Sequence, residues 1–195
     1  NHHPDPGNPK NLEDLQSKVK ESNADIGIAL DGDADRCVLC DHTGALVDGD
    51  QILAILASKM IDNGTLPNKS VVATVMSNLG LERFIAQLGG SLIRTKVGDR
   101  YVVESMRAGN HPLGGEQSGH IVQLQHSTTG DGLMAALSVL GSVVEAGSNL
   151  HELAGVMKKY PQRLRNIRVS EKRPFEELDT VQAVIQRVEH DLGDE

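Results

Sequence analysis

Three aspartates at alternating positions form the segment with the most evident chemistry. Asp31, Asp33 and Asp35 are followed directly by Arg36, and in an extended stretch the three carboxylates project from one side of the chain. Without a partner they repel one another, which raises their pKa values and costs stability. Because hard oxygen ligands suit Mg²⁺ or Ca²⁺, the spacing predicts a divalent cation site. The Arg36 guanidinium fits the oxygens of a phosphate or a sugar, which indicates a second ligand beside the metal.

Two other interpretations of the acidic segment can be compared with the sequence. An EF-hand loop that begins at Asp31 requires Gly at its sixth position and Glu at its twelfth, where this chain has Arg36 and His42. A phosphatase with an aspartate nucleophile also begins with a hydrophobic strand and Asp-x-Asp, but such enzymes usually continue to Thr rather than to an acidic residue. The EF-hand is excluded, whereas the phosphatase and a simple solvated acidic turn stay open.

A second polar segment, residues 114–120, combines glycines with side chains that form hydrogen bonds. Glu116 and Ser118 offer a carboxylate and a hydroxyl, a mixture typical of sugar recognition. His120 can transfer a proton at neutral pH. Alone, the segment is more simply a polar turn before a strand. Beside a metal site, it favours a ligand-binding loop.

A third segment, residues 96–100, lies between a predicted strand and a predicted helix, where ligands bind in open α/β sheets. Gly98 and Asp99 stand at the start of that helix, where backbone amides can hold an anion, and Lys96 and Arg100 add two cations. The alternative is a capped helix with surface charges. No Gly-x-x-x-x-Gly-Lys-Ser/Thr occurs in the sequence, which argues against a nucleotide-dependent kinase.

The cysteines and the other histidines show no pattern of a redox or metal centre. Cys37 and Cys40 have the spacing of a redox pair, but they fall on a predicted strand rather than at a helix N-terminus. One such pair is also insufficient for a four-cysteine zinc site. We therefore predict that both pack in the core. The histidines other than His120 lack ligand spacing and are predicted to be surface or structural residues.

Alternating strands and helices must position these segments. Strands are predicted over residues 24–30, 37–40, 45–47, 71–75, 91–95, 120–124 and 164–170, with a hairpin turn at 41–44. Helices are predicted after Asn11, from Asp50 to Met60, from Asp99 to Arg107, and over residues 81–88, 133–144, 150–159 and 175–188, with Asn11, Asp50 and Asp99 as N-caps. Residues 1–7 are predicted to be a loop. The alternation indicates an α/β fold with a largely parallel sheet.

Composition excludes several classes of protein. The 195 residues, 38% hydrophobic and 24% charged, suffice for one large core or two small ones. A net charge of −8, two Phe, two Tyr and no Trp argue against a nucleic-acid partner. No apolar run approaches the roughly 18 residues of a membrane span, and no secretion signal is recognisable. Two cysteines cannot form a disulfide framework, and we predict a cytoplasmic protein without a membrane partner.

In their order and spacing, the three polar segments resemble those of the α-D-phosphohexomutases. Residues 31–36, 96–101 and 115–120 carry the similarity, and residues 128–132 and 158–161 extend it over essentially the whole chain. The family usually has Gly where Ala34 stands, a small departure that should leave metal binding intact. The resemblance implies an isomerase with a three-layer α/β/α domain, a mixed, largely parallel sheet and partial flanking domains.

Enzymes of this family interconvert the 1-phosphate and the 6-phosphate of a hexose through a phosphoserine and a hexose 1,6-bisphosphate. The resemblance implies one Mg²⁺ per active site, held by Asp31, Asp33 and Asp35, which neutralises charge on the transferring phosphoryl group. It also implies that Arg36 and His120 act in catalysis, with His120 as the candidate general acid/base. The substrate-binding residues implied by the resemblance are Arg36, Gly98, Asp99, Arg100, Glu116, Ser118 and His120.

Two parts of the chain resemble different branches of the family. Gln117 and residues 97–101 resemble the branch that interconverts glucosamine-6-phosphate and glucosamine-1-phosphate. The opening residues 1–6 are more similar to the phosphomannomutase branch. Mannose and glucose phosphates therefore stay open as substrates.

The resemblance also implies a division into domains. The family's serine loop precedes the metal loop by a long way, and its phosphate-binding loop follows the last helix predicted here. We therefore expect residues 1–41 to end domain 2, residues 42–157 to form domain 3 and residues 158–195 to begin domain 4. The piece would need domain 1 and the rest of domain 4 and would have no turnover alone. A homodimer and a non-catalytic domain that binds metal or sugar phosphate stay open.

Overall fold

The computed structural model describes residues 5–193, so most of the loop predicted at residues 1–7 lies outside the described residues. The chain forms two compact units, the first ending at Pro161 and the second beginning at Gln162. None of the helices in the described part is both long and apolar enough to cross a membrane.

The first unit alternates strands and helices. Its strands are β1 (Ile26–Leu30), β2 (Cys37–Asp41), β3 (Leu46–Val47), β4 (Ser70–Thr74), β5 (Ser91–Thr95), β6 (Leu113–Gly115) and β7 (Ile121–Gln123). Its helices are α1 (Glu13–Ser22), α2 (Gly49–Asp62), α3 (Leu79–Gln87), α4 (Asp99–Gly109), α5 (Gly132–Ala146) and α6 (Leu150–Ala154). The second unit contains α7 (Asp179–Leu192). Short 3₁₀ turns lie at Pro9–Leu12, Pro67–Lys69 and Phe175–Glu177.

The strands form two sheets. In the first, β1, β2 and β3 pair antiparallel, and β2 and β3 form the predicted hairpin. In the second, the order is β5-β4-β6-β7; β4 runs parallel to β5 and β6, and β7 is antiparallel to β6. The predicted α/β fold with a mixed, largely parallel sheet is confirmed.

Strand β4 has helices on both of its faces. Val71 and Ala73 belong to the main core, which also takes in residues of α2, α3 and α5. Val72 belongs to a smaller cluster with Val102 and Met106 of α4. Because successive side chains of a strand point to opposite faces, this division places α4 on one face and the main core on the other. The second sheet is therefore the middle layer of an α/β/α arrangement.

Cys37 and Cys40 are free and fully buried on β2, as predicted. Burial raises the pKa of the Cys37 thiol to about 12. Since the thiolate is the reactive form of cysteine, Cys37 stays protonated at physiological pH and is inert. The pair therefore serves packing rather than redox chemistry.

None of the three predicted helix caps, Asn11, Asp50 and Asp99, is the cap in the structure. Asn8 rather than Asn11 accepts a hydrogen bond at the start of the first helical segment, from Lys10 N at 3.2 Å. The helix α4 is preceded by Gly98 with a φ of 127°, and Asp99 lies already inside it. The error arises because several residues that can cap stand close together in both places, so spacing alone does not choose between them.

Residues 164–170 do not form the predicted strand. They have no regular secondary structure, and Leu164, Ile167 and Val169 are exposed. A strand requires a partner for its backbone groups, and none of the strands in residues 5–193 pairs with this segment. The predicted helix at residues 150–159 is also shorter, because α6 ends at Ala154.

Asp50, the predicted cap of α2, is instead a buried carboxylate at the second position of the helix. Asp48 caps the helix and accepts a hydrogen bond from Gln51 N at 3.2 Å. Asp50 is fully buried and accepts from Asn78 N at 2.8 Å. Burial, with the nearby Asp48 carboxylate, raises the pKa of Asp50 to about 6 despite the opposing effect of Asn78 and Lys159.

Asp50→Asn should remove a pH-dependent cost of folding. A rise in pKa from 3.8 to about 6 means that the folded state holds the proton more tightly than the unfolded chain does. The Asp50 contribution is therefore present in full below about pH 4 and is lost as pH rises through 6, for a total of about 3 kcal/mol. We expect the free energy of unfolding of the variant, relative to the parent, to increase by up to that amount between pH 4.5 and pH 8. Urea titrations at both pH values test this, and a difference independent of pH contradicts it.

Candidate functional site

The acidic segment is the loop between β1 and β2. The two strands are antiparallel, with Leu30 opposite Cys37, so residues 31–36 must reverse the chain. The backbone bends over residues 32–34, and Ala34 has a φ of 61°. It is therefore not the extended stretch that the alternating spacing predicts. The turn itself gathers the carboxylates.

The three aspartates do converge. One carboxylate oxygen of each of Asp31, Asp33 and Asp35 lies within 4.8 Å of the others. Oxygens that share one Mg²⁺ are at most about 4.2 Å apart, and those that share one Ca²⁺ about 5 Å, which is twice the respective bond length. Asp31 is buried, Asp35 is half-buried and Asp33 is exposed. The three oxygen donors therefore suit a hard divalent cation, with a spacing that is within the limit for Ca²⁺ and that must close to about 4.2 Å around Mg²⁺.

Arg36 is held by acidic groups on two sides. Its backbone N and its Nε donate to the two oxygens of Asp31 at 3.1 and 2.8 Å. Its Nη1 donates to Asp5 Oδ1 at 3.1 Å, a contact between residues 31 positions apart that no sequence pattern indicated. The guanidinium is thus already oriented by the acidic loop and by the segment before α1.

The pKa values of the loop reflect this arrangement. Burial alone would raise the pKa of Asp31, but the hydrogen bonds from Arg36 outweigh it and hold that pKa below its usual value. Burial and the neighbouring Asp31 carboxylate raise the pKa of Asp35. One arginine therefore stabilises one of the carboxylates, and the repulsion that remains is what a bound cation would relieve.

Ala34→Gly should stabilise the protein by about 1 kcal/mol. A left-handed backbone costs an L-residue about 1 to 2 kcal/mol, of which the greater flexibility of Gly in the unfolded chain cancels a part. Guanidinium unfolding measures the difference. As a control, Ala86→Gly on the exposed side of α3 should destabilise the protein by a similar amount. If Ala34→Gly destabilises the protein, the left-handed backbone at Ala34 is not strained.

The second polar segment is the turn between β6 and β7, and β6 itself was missed by the sequence prediction. The turn packs against two other elements through its backbone. Cys37 N donates to Gly119 O at 3.0 Å, and Gly49 N, at the start of α2, donates to Gln117 O at 3.1 Å. An added Cβ on Gly119 would lie 2.2 Å from Cys37 O. This segment, residues 114–120, is a glycine-rich loop that therefore packs directly against the start of β2.

His120 connects the glycine-rich loop with the acidic loop. Its backbone forms an isolated antiparallel bridge with Arg36, and its Nε2 lies 3.5 Å from Asp35 Oδ2. The side chain is 4% exposed and packs over Gly130, where a Cβ would collide with the ring. Within residues 5–193, neither ring nitrogen has a hydrogen-bond partner. His120 thus faces the acidic cluster from a buried position.

The third segment meets the second at Glu116. Gly98 N, at the start of α4, donates to Glu116 Oε1 at 3.1 Å. Asp99 accepts from Arg100 N, and Arg100 Nε donates to Glu104 at 2.7 Å on the same helix. The structure therefore brings Gly98 into the site, whereas the side chains of Asp99 and Arg100 are exposed and engaged within α4. Ser118 lies half-buried in the turn.

Two surface clefts lie apart from these loops. They measure about 230 and 190 Å³, and both are lined by Lys59 of α2 and by Asn63, which follows the helix. Because α2 touches the glycine-rich loop at Gly49 and rises 1.5 Å per residue, Lys59 is about 15 Å farther along the helix. The clefts are therefore separate from the candidate site.

Comparison with known proteins supports the similarity seen in the motifs. Residues 48–160 match the family model described as phosphoglucomutase/phosphomannomutase, alpha/beta/alpha domain III. The chain belongs to this family. Residues 1–44 match the model of alpha/beta/alpha domain II of the phosphoglucomutase/phosphomannomutase proteins. The predicted membership of the α-D-phosphohexomutases is confirmed.

Curated relatives of the phosphoglucomutase/phosphomannomutase family share half of this sequence. A phosphoglucosamine mutase of Nitratidesulfovibrio vulgaris (strain DP4) is 51% identical over 92% of this chain and 40% of its own length. That of Zymomonas mobilis is 52% identical over 87% of the chain and 38% of its own length. The chain thus spans about two fifths of the length of these relatives.

Solved structures of the family share its fold. A phosphoglucomutase/phosphomannomutase family protein from Burkholderia thailandensis has a TM-score of 0.73 at 30% identity, over 80% of this chain and 34% of its own. The N-acetylphosphoglucosamine mutase of Aspergillus fumigatus, in complex with GlcNAc-6P and magnesium, has a TM-score of 0.70 at 22% identity over 84% and 43%. The second of these similarities supports the fold alone.

Proposed function

We propose that this chain is the metal- and sugar-binding part of a phosphoglucosamine mutase, which interconverts glucosamine-6-phosphate and glucosamine-1-phosphate. The observation that carries the proposal is the meeting of the three polar segments. The aspartate oxygens lie within 4.8 Å of one another, His120 lies 3.5 Å from Asp35, and Glu116 is bonded to Gly98. Relatives of that name at 51% and 52% identity favour glucosamine over mannose or glucose.

The acidic loop provides the metal ligands in this proposal. Asp31, Asp33 and Asp35 hold one Mg²⁺, which when bound neutralises charge on the transferring phosphoryl group. Magnesium in the Aspergillus relative's structure agrees with this assignment. Arg36 contacts the sugar or its phosphate, and its contacts with Asp31 and Asp5 orient the guanidinium before the substrate arrives.

The other loops bind the sugar and move the proton. Glu116 and Ser118 accept and donate hydrogen bonds to sugar hydroxyls, with Gly98 fixing one oxygen of Glu116. His120 is the general acid/base, and its buried ring must be reached by the substrate through the side that faces Asp35. Asp99 and Arg100 contribute to ligand orientation only after they leave their contacts within α4.

The proposed reaction needs groups from outside this chain. A phosphoserine donates its phosphoryl group to the sugar, and a hexose 1,6-bisphosphate is the intermediate and activator. A serine loop outside this chain agrees with relatives that are more than twice as long. Residues 1–41, 42–157 and 158–195 correspond to the end of domain 2, domain 3 and the start of domain 4. The cytoplasmic location and the homodimer stay predictions.

An assay of the full-length protein tests the proposal. With Mg²⁺ and a hexose 1,6-bisphosphate, we expect kcat/KM for glucosamine-6-phosphate to exceed that for mannose-6-phosphate and glucose-1-phosphate by about tenfold or more. The 195-residue chain alone should give no product. Faster turnover of mannose-6-phosphate contradicts the sugar assignment. Release of phosphate by the chain alone, or binding without turnover by the whole protein, contradicts the mutase.

A further inference from the structure

The hairpin turn between β2 and β3 contains a buried carboxylate bound to a histidine of a distant helix. Asp41 Oδ2 lies 2.7 Å from Nδ1 of His151, 110 positions later on α6. The other oxygen of Asp41 accepts hydrogen bonds from Thr43 N, Thr43 Oγ1 and Ala45 N at 2.9, 2.7 and 3.0 Å. The carboxylate is therefore fixed in place, with its side chain 2% exposed.

This carboxylate determines which nitrogen of His151 is available. Because Thr43 and Ala45 occupy one oxygen of Asp41, the other oxygen is directed to Nδ1 of His151, 2.7 Å away. In the neutral tautomer that donates from Nδ1 to this oxygen, the lone pair available to a metal is on Nε2. The His151 side chain is 58% exposed. His151 thus has a carboxylate bound at Nδ1 and leaves Nε2 for a ligand, an arrangement that is typical of metal-binding histidines.

A second imidazole lies beside the first. The rings of His42 and His151 have centroids 6.0 Å apart at an interplanar angle of 75°. With a Zn–N bond near 2.1 Å, a ring centroid lies about 3.2 Å from a bound ion, so two rings on one tetrahedral ion are about 5.3 Å apart and never more than about 6.5 Å. The observed 6.0 Å is about 0.7 Å longer than the tetrahedral value. His42 is exposed on the turn and can approach by the remaining fraction of an ångström.

We propose that His42 and His151 form a site for a borderline divalent transition metal such as Zn²⁺, with Asp41 orienting His151 and water completing the coordination. Imidazole ligands select Zn²⁺, Ni²⁺ or Cu²⁺, whereas the acidic loop offers only oxygens, which suit Mg²⁺. Strand β2 separates the two places: Asp41 lies five residues after Arg36, about 16 Å along the strand. The site is thus distinct from the candidate active site and does not depend on the proposed function.

An ion at this site would link the hairpin turn to α6. A ligand that binds only the folded state stabilises it according to its concentration and affinity. The link joins segments that are far apart in the sequence, so Zn²⁺ should raise the melting temperature, and Mg²⁺ at the same concentration should not reproduce the effect. The alternative is that no ion binds here. His42 and His151 then form only an edge-to-face ring pair, and His151 and Asp41 form a structural ion pair.

Calorimetric titration with Zn²⁺ and thermal unfolding test the site, both in millimolar Mg²⁺ to occupy the acidic loop. The parent protein should bind one Zn²⁺ in this site and unfold at a higher temperature. His42→Ala and His151→Ala should each weaken that binding by about 10-fold or more and remove the rise in melting temperature. All variants carry His2→Ala and His3→Ala, because adjacent histidines can bind Zn²⁺ themselves.

Matched controls separate this site from the other candidates. His126→Ala and His190→Ala alter exposed histidines outside the pair and should leave Zn²⁺ binding unchanged. Asp33→Asn removes a proposed Mg²⁺ ligand from the acidic loop and should also leave Zn²⁺ binding at His42 and His151 unchanged. If His151→Ala lowers the melting temperature of the protein without Zn²⁺ but the response to Zn²⁺ persists, the pair is structural only and the proposal is wrong. Unaltered affinity in His42→Ala overturns it equally.

Discussion

Under the proposed function, Asp33→Asn in the full-length protein is expected to lower kcat by about 10³-fold and to weaken activation by Mg²⁺. A bound metal ion that stabilises charge in the transition state lowers the activation free energy by several kcal/mol. Loss of a single stabilising group of this kind commonly lowers the rate by 10² to 10³. Asp33 suits the test because it is exposed, whereas Asp31 also holds Arg36 and its removal would disturb the loop. Initial rates over a range of Mg²⁺ concentrations give both quantities.

The same substitution should have the opposite effect on the metal-free protein. Removing one of three mutually repelling carboxylates relieves a cost that the fold bears without the ion, so the melting temperature in EDTA should be unchanged or higher. Asp62→Asn, at the exposed end of α2, is the matched control and should keep full activity. If Asp33→Asn retains parental kcat and Mg²⁺ dependence, the acidic loop is not the metal site.

Gly119→Ala is expected to destabilise the first unit by about 2 to 5 kcal/mol. Gly119 has a φ of 98°, a region that costs other residues about 1 to 2 kcal/mol. The new Cβ would also lie 2.2 Å from Cys37 O, which is backbone of a fully buried strand and cannot move without separating the two loops. Overpacking of this kind adds about 1 to 3 kcal/mol. Urea unfolding of both proteins gives the difference.

Two other glycines isolate the effect of the collision. Gly64 and Gly147 have φ values of 68° and 58°, and an added Cβ on either meets nothing within 4 Å. Gly64→Ala and Gly147→Ala should therefore show the conformational cost alone, about 1 kcal/mol each after the entropy of Gly in the unfolded chain is considered. A loss for Gly119→Ala no greater than theirs would mean that the turn can yield at its contact with β2.

The long, strongly patterned elements were predictable from the sequence. Residues 91–95 form a strand with the predicted bounds, and the hairpin turn falls at residues 41–44. The apolar helix predicted at 133–144 is α5, extended by a turn's length in total at its two ends. In each case the hydrophobic period and the turn residues agree, so local preference and tertiary packing lead to the same structure.

Elements that depend on distant partners were not predictable in the same way. Strand β6 is only Leu113–Gly115, too short and too rich in glycine to have a period, and it exists because β4 and β7 pair with it. Asp50 has the composition of an N-cap, yet burial against Asn78 decides its role. Residues 164–170 alternate like a strand but have no partner among the described residues.

The same distinction between local spacing and contacts distant in the sequence applies to the candidate site. The sequence predicted that Asp31, Asp33 and Asp35 act together, because their spacing is local. It could not predict the contact of Glu116 with Gly98 or that of Arg36 with Asp5, since these pairs are distant in the chain and no periodicity connects them. The pair of His42 and His151 escaped for the same reason, and scattered histidines were assigned to the surface.

The bridge between Arg36 and His120 constrains how proteins with this architecture can diversify. One backbone pairing holds the acidic loop and the glycine-rich loop in register, so a residue inserted into or deleted from either would shift its side chains against the other. Changes of loop length are therefore disfavoured here, although surface loops usually tolerate them. New substrate preferences would have to arise by exchanging side chains such as Gln117 or Ser118 on a backbone of constant length.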